Sequence, residues 1–187
     1  MSLKELTQHN HDYAEKTKFA QYLLSGDISP QVYYQYITNK YYVYVMLEES
    51  IRMLGFPQEF VSIFRAEKIR DDMQELERDY GLGFHPHHTV TSTHLYINRI
   101  EDLQIKRDYR GLLAHLYVNH FGDLHGGQII KRLTPGSGTM YEFENAHELK
   151  KGLRELLADD MADEANIAFE YNIGMMEELG NYVPSVE

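Results

Sequence analysis

The sequence contains no cysteine, which excludes disulfides, thiolate metal sites and a cysteine nucleophile. No apolar stretch reaches the roughly 18 residues of a membrane-spanning helix, and no charged-then-apolar leader precedes the first helical pattern. A membrane span and a signal peptide are therefore not expected, and the default location is cytoplasmic. Basic residues are in deficit, with 18 Lys and Arg against 29 Asp and Glu and a net charge of −11. That balance disfavours nucleic acid, whose phosphates need a basic face. Strand-like alternation, internal repeats, low-complexity tracts and a linker between two domains are also missing. What is present is a globular composition: 187 residues, 43% hydrophobic and 12% aromatic. Such a chain buries roughly two-thirds of its unfolded surface. Ten histidines and fifteen tyrosines are generous numbers, compatible with ordinary packing or with a cofactor.

The 3.6-residue period runs through almost every long segment. A first helix is expected from near Ser2 through "LKELTQHNHDYAEKTKFAQYLLSG", with Leu6, Tyr13, Phe19 and Leu23 as apolar contacts and Gly26 as its stop. Ser29 as N-cap and Pro30 at the first helical position open a second, which ends at Gly55 before Pro57. Shorter helices are expected at Gln58 to Glu67 and over "KIRDDMQELERDYG", ended by Gly81. "GLGFHPHHTVTS" is loop, and Thr91 to Asp102 resumes the helical pattern. Asp108 caps the next helix, which ends before Pro135-Gly136, and "GSGTMYEFEN" reads as polar loop. "AHELKKGLRELLADD" and "MADEANIAFEYNIGMMEELG" complete the chain. The pattern predicts an all-α protein, a compact helical bundle forming a single domain over residues 1–187.

One stretch conflicts with its own period. "VNHFGDLHGGQIIKRL", Val118 to Leu133, is helical at both ends but holds Gly122, Gly126 and Gly127 in its middle. Each interior glycine weakens a helix by about 1 kcal/mol relative to alanine. Close packing of two helices explains such glycines; so does the approach of a backbone to a flat ligand. Asp123 among them favours the ligand, because a buried acid needs hydrogen-bond partners and ordered water can supply them. His11 and Glu15 share one face of the first helix. They read as an exposed pair, or as an imidazole ligand for iron with an acceptor beside it. The tyrosines from Tyr33 to Tyr44 read as packing. "HPHH" (His85 to His88) matches no zinc spacing, and "ENAH" (Glu144 to His147) is a single Glu-x-x-His where a di-iron bundle needs two.

With His11 and the glycine segment both in view, the chain resembles the heme oxygenase family. "LTQHNHDYAEKTKF" is similar to that family's proximal segment, and "GDLHGGQIIKRL" to its distal signature, commonly GDLSGGQ. "YVYVMLEESI" and "EANIAFEYNIGMMEEL" align with family helices in the same order, so the similarity runs from about Lys4 to Leu179. The resemblance implies heme b sandwiched between a proximal helix and a glycine-kinked distal helix, as both cofactor and substrate. It implies cleavage to biliverdin, carbon monoxide and ferrous iron by O2 and an external electron donor. His11 would be the axial iron ligand, with Glu15 beside it. Gly122, Gly126 and Gly127 would make room over the ring, and Asp123 would hold the water network that delivers protons. Lys4, Lys150 and Arg154 match the family's propionate cations, Tyr117 a tyrosine at the heme edge, and Phe169 and Asn172 positions on the last helix. Reduced ferredoxin or a similar acidic reductase would be the partner, received by Lys4, Lys131, Arg132, Lys150 and Lys151. The similarity is to the soluble bacterial, cyanobacterial and phage-borne type.

The sequence also departs from the family pattern. His125 stands in place of the usual serine, and Asn119 and His120 where "RY" is common. The family arginine at the Asn119 position helps fix the aspartate, so this network must be organised differently. A non-catalytic heme-binding or heme-storage protein on the same fold is the competing expectation. A thiaminase-like helical enzyme would require the cysteine that is missing.

Overall fold

The computed structural model describes residues 1–85 and 88–184. The described residues form α1 (Leu3–Glu15), α2 (Lys18–Leu23), α3 (Pro30–Met53), α4 (Ala66–Tyr80), α5 (Thr91–Ile105), α6 (Tyr109–Leu116), α7 (Gly122–Leu133), α8 (Ala146–Arg154) and α9 (Ala162–Leu179). No strand occurs among them, so the all-α expectation holds. No helix among the described residues is long and apolar enough to cross a membrane.

The longest helix, α3, starts where expected: the Ser29 side chain accepts from the Val32 amide, and Pro30 occupies the first turn. It runs through the centre, with Tyr33, Ile37, Tyr44, Leu47 and Ile51 shut off from solvent, and packs against α4, α5 and α6. Opposite, α9 packs against α1, α5 and α6. Gly81 ends α4 in the left-handed conformation, which glycine adopts without steric strain.

Several boundaries differ from the sequence reading. The expected first helix is two helices, because the Thr17 hydroxyl accepts from the Ala20 amide and caps α2. That local competition by a threonine side chain outweighs a continuous apolar period. The segment from Gln58 is a 3-10 helix that ends at Ile63. The polar loop after Gly136 contains a 3-10 turn (Thr139–Tyr141) whose Met140 and Tyr141 are fully buried. Asp72 holds it, accepting from the Thr139 and Met140 amides at 2.8 and 2.9 Å. One buried carboxylate therefore anchors an apolar plug in a segment whose composition reads as solvated. The helix from Ala146 stops at Arg154.

The expected glycine break is also displaced. Gly122 has ordinary helical angles, φ −56° and ψ −50°, and α7 is continuous through all three glycines. The irregularity comes one turn earlier, as a π-helical turn (Tyr117–Phe121) between α6 and α7. A π turn widens the helix by one residue and disturbs the carbonyl ladder. Side chains take up the carbonyls beside it: Asn119 Nδ2 donates to the His115 carbonyl at 2.9 Å, and His125 Nδ1 meets the Phe121 carbonyl at 2.8 Å.

Candidate functional site

Three glycines in one helix turn out to have two different surroundings. A Cβ added at Gly122 or Gly126 would meet nothing within 4 Å. These two are four residues apart and so lie on one helix face. A Cβ at Gly127 would instead fall 2.5 Å from Tyr141 Cδ1. Gly127 lets α7 close onto the buried 3-10 turn, so the expectation that all three glycines open onto a ligand holds for two at most. Gly127→Ala is therefore expected to destabilise the fold by about 1–3 kcal/mol through overpacking, with a little returned as helix propensity. A lowered thermal midpoint checks this; a raised one would show that Tyr141 moves freely.

Asp123 is 5% exposed, between the two open glycines in sequence but turned the other way, toward α3. Lys40 Nζ donates to its Oδ1 at 2.8 Å, and the Tyr44 hydroxyl to its Oδ2 at 2.5 Å. Burial works against the Lys40 ammonium, yet the carboxylate beside it holds its pKa above the ordinary lysine value. Burial first, and Asp123 second, push the Tyr44 hydroxyl well up, so it stays a donor. One turn further along α3, Glu48 accepts from the Arg65 amide at 2.6 Å and the Ala66 amide at 3.1 Å, capping α4 from outside. Glu48 also meets His120 Nε2 at 2.9 Å. The His120 ring is fully buried and lies 4.3 Å from the Tyr44 ring, and its Nδ1 has no hydrogen-bond partner among the described residues.

Asn119 faces elsewhere. Its amide donates to the Tyr96 hydroxyl at 2.7 Å, and that hydroxyl lies 2.9 Å from His115 Nδ1. His115 Nε2 reaches Glu164 at 2.8 Å, and Arg99 grips the same carboxylate at 2.9 and 2.5 Å. Burial opposes ionisation of Glu164, but the bonds from His115 and Arg99 bring its carboxyl down to about 2. Burial lowers His115; since the Glu164 carboxylate only accepts, Nε2–H donates to it, and Nδ1 faces the Tyr96 hydroxyl. The Asn172 amide donates to the Ala168 carbonyl at 2.9 Å.

On α1, His11 has a half-exposed side chain, with Nε2 3.8 Å from Glu15 and Nδ1 3.7 Å from Asp12. The Phe169 ring of α9 stands edge-on to it at 6.1 Å. Asn10 and Asn166 tie the two helices together at 3.0 Å. Half-buried Tyr117 lies 5.9 Å from Phe121, whose ring stacks on His125 at 5.9 Å. Burial is the largest cause lowering His125, followed among the lowering causes by the charges of Lys150, Arg154 and Lys4. The salt bridges among the described residues include none of Lys4, Lys150 and Arg154. Since a carbonyl only accepts, His125 Nδ1 carries the proton and Nε2 a lone pair.

Among the described residues His11, Asp12 and Glu15 are the cluster with metal-ligand spacing, and no second Glu-x-x-His joins Glu144 and His147. Pro86 and His87 of the HPHH run lie outside the described residues. Sequence reasoning missed Lys40, Tyr44 and Glu48. The signal was there: Tyr36, Lys40, Tyr44 and Glu48 recur every fourth residue of a tyrosine-rich helix, which puts an ionisable stripe on one buried face.

The heme oxygenase family model matches residues 1–178. The chain is 30% identical over 207 residues to a heme oxygenase of Rhodella violacea, covering 97% of this chain and 86% of that one. Its fold is similar to that of a heme oxygenase from Leptospira interrogans, with TM-score 0.82, 26% identity, and 95% of this chain and all of the other covered. It is likewise similar to heme oxygenase-1 from the cyanobacterium Synechocystis in complex with heme, with TM-score 0.81, 24% identity and coverage of 96% and 91%.

Proposed function

Since the chain belongs to the heme oxygenase family, we propose that heme b lies against the Gly122–Gly126 face of α7 and is cleaved there to biliverdin, carbon monoxide and ferrous iron. The observation that carries this reading is the pairing of an open backbone face with a buried acid on the same helix. A flat apolar ligand needs a wall without side chains, and the family's chemistry needs a fixed polar group behind that wall. When bound, heme supplies the iron that takes up O2 and the ring that is opened.

The chain's own residues then divide the work. His11 would offer an imidazole nitrogen to the iron, with Glu15 3.8 Å from Nε2 and Asp12 3.7 Å from Nδ1, near enough for a small side-chain shift to make one of them an acceptor for the nitrogen that remains. An acceptor there fixes the tautomer and raises the basicity of the ligand. Lys4, Lys150 and Arg154 meet the two propionates, which charge-assisted bonds favour over water. Phe169 and Tyr117 pack against the ring, and Asn172 lines the distal side. Asp123 keeps lone pairs beyond those used by Lys40 and Tyr44, and with them orders the water that hands on protons.

Reduced ferredoxin is the proposed electron donor. Lys150, Lys151 and Arg132 offer positive charge to an acidic partner, whereas Lys131 is already paired with Glu142. The test is hemin titration followed by oxygen and reduced ferredoxin or ascorbate. A Soret band should form, then bleach as biliverdin appears on chromatography. Intact heme with every donor would make this a heme-storage protein on an enzyme's fold.

A further inference from the structure

We propose that Lys40 is a positioning residue for the reaction: its ammonium holds the Asp123 carboxylate in the orientation from which it orders distal water. This rests on the heme oxygenase reading and adds a residue that the motif around Asp123 does not contain. Lys40 sits in the middle of α3 and is 8% exposed. A buried ammonium is expensive, and a methionine of similar volume would fill the same space without desolvating a charge. Packing alone does not account for it.

The surroundings confine the ammonium. Nζ lies 5.6 Å from the Tyr36 ring centre and 5.0 Å from that of Tyr44, both faces able to attract a cation. From there it reaches Asp123 Oδ1 at 2.8 Å, while Tyr44 reaches Oδ2. Both donors come from one rigid helix, four residues apart, so together they set the plane of the carboxylate. Each oxygen retains one acceptor direction, and those directions are no longer free to rotate.

Other polar groups nearby are committed elsewhere. Asn119 is bound to Tyr96 and to the His115 carbonyl, and His120 to Glu48. The Arg65 guanidinium feels Asp123 but donates to the carbonyls of Ser62, Ile63, Phe64 and Glu142. Lys40 is the cation that touches Asp123. It does so from a different helix than the π turn where Asn119 stands.

A double-mutant cycle on the full chain reconstituted with hemin tests this, using Lys40→Met, Asp123→Asn and the pair. Two readouts are taken: biliverdin formed per heme consumed, and the C–O stretching band of the ferrous CO complex, which reports the distal field without turnover. Lys40→Met should keep the Soret band, lower the biliverdin yield on the order of tenfold or more, and shift or broaden the C–O band. Lys40→Arg should recover part of both. In the Asp123→Asn background Lys40→Met should change neither, because the lysine acts through the acid. If Lys40→Met does not fold, Lys40→Gln, which keeps a donor without the charge, takes its place. Wild-type yield and C–O band in the lysine variant, with both lost in Asp123→Asn, would overturn the role of Lys40 alone. Normal yield in Asp123→Asn would remove the aspartate from proton handling, and this proposal with it.

Discussion

Gly126→Leu is expected to give a folded, slightly stabilised apoprotein that no longer takes up heme. The leucine side chain starts into space in which a Cβ meets nothing within 4 Å, so its first atom is accommodated by the chain. Replacing a helical glycine also gains about 1 kcal/mol of propensity, and the thermal midpoint of the apoprotein should rise. The same side chain stands where the proposed ligand face lies. Losing about 3 kcal/mol of contact there is roughly a hundredfold in affinity. Hemin titration beside a melting curve separates the two effects, and Gly127→Ala should show the opposite pattern in stability. Uptake of heme by the leucine variant at wild-type affinity would show that this face is not the wall of the site.

His11→Ala carries the second large effect. The residue is half-exposed and lies in the last two turns of α1, so its removal leaves the α1–α9 bonds of Asn10 with Asn166, Tyr13 with Glu177 and Asn166 with the Leu6 carbonyl in place. Alanine is also the better helix former. Folding should therefore survive while the ferric heme spectrum changes and turnover falls by about a hundredfold or more, since the axial ligand is gone. Free imidazole added to the variant should restore much of the parent spectrum. An unaltered spectrum without imidazole would place the ligand elsewhere. His9 is the first alternative, although it lies roughly 200° around the helix from His11.

The polar cluster behind α7 shows how differently the parts of this site can be read from the chain. His11 with Glu15, and Gly122 with Gly126, are legible because each pair is four residues apart on one helix, where spacing alone determines which positions share a face. Lys40 and Glu48 lie on another helix, about eighty residues from Asp123. Their meeting with Asp123 and His120 is a fact about how α3 packs beside the π turn, and the stripe on α3 does not by itself say what it faces. Asn119 illustrates the same limit from the other side. Its position suggests an altered aspartate network, yet its actual partners, Tyr96 and His115, belong to a separate set of bonds leading to Glu164 and Arg99. Of the substituted residues, His120 is committed to Glu48 inside the core, while His125 uses Nδ1 on the Phe121 carbonyl of the π turn.

Local order was the sequence's own to decide. The 3.6-residue period, Ser29-Pro30, Asp108 and Gly81 specify where several helices begin and end, since caps and terminators act within a few residues. Three glycines and an acid close together in one helical motif raise the expectation of a ligand face. Tertiary packing decided the rest. It sorted Gly127, packed on Tyr141, from Gly122 and Gly126, which are open, because the space beside a glycine belongs to whatever comes from elsewhere in the chain. It also brought Lys40 to Asp123, because charge is matched across the core by distance in space, and nothing in the order of residues carries that distance.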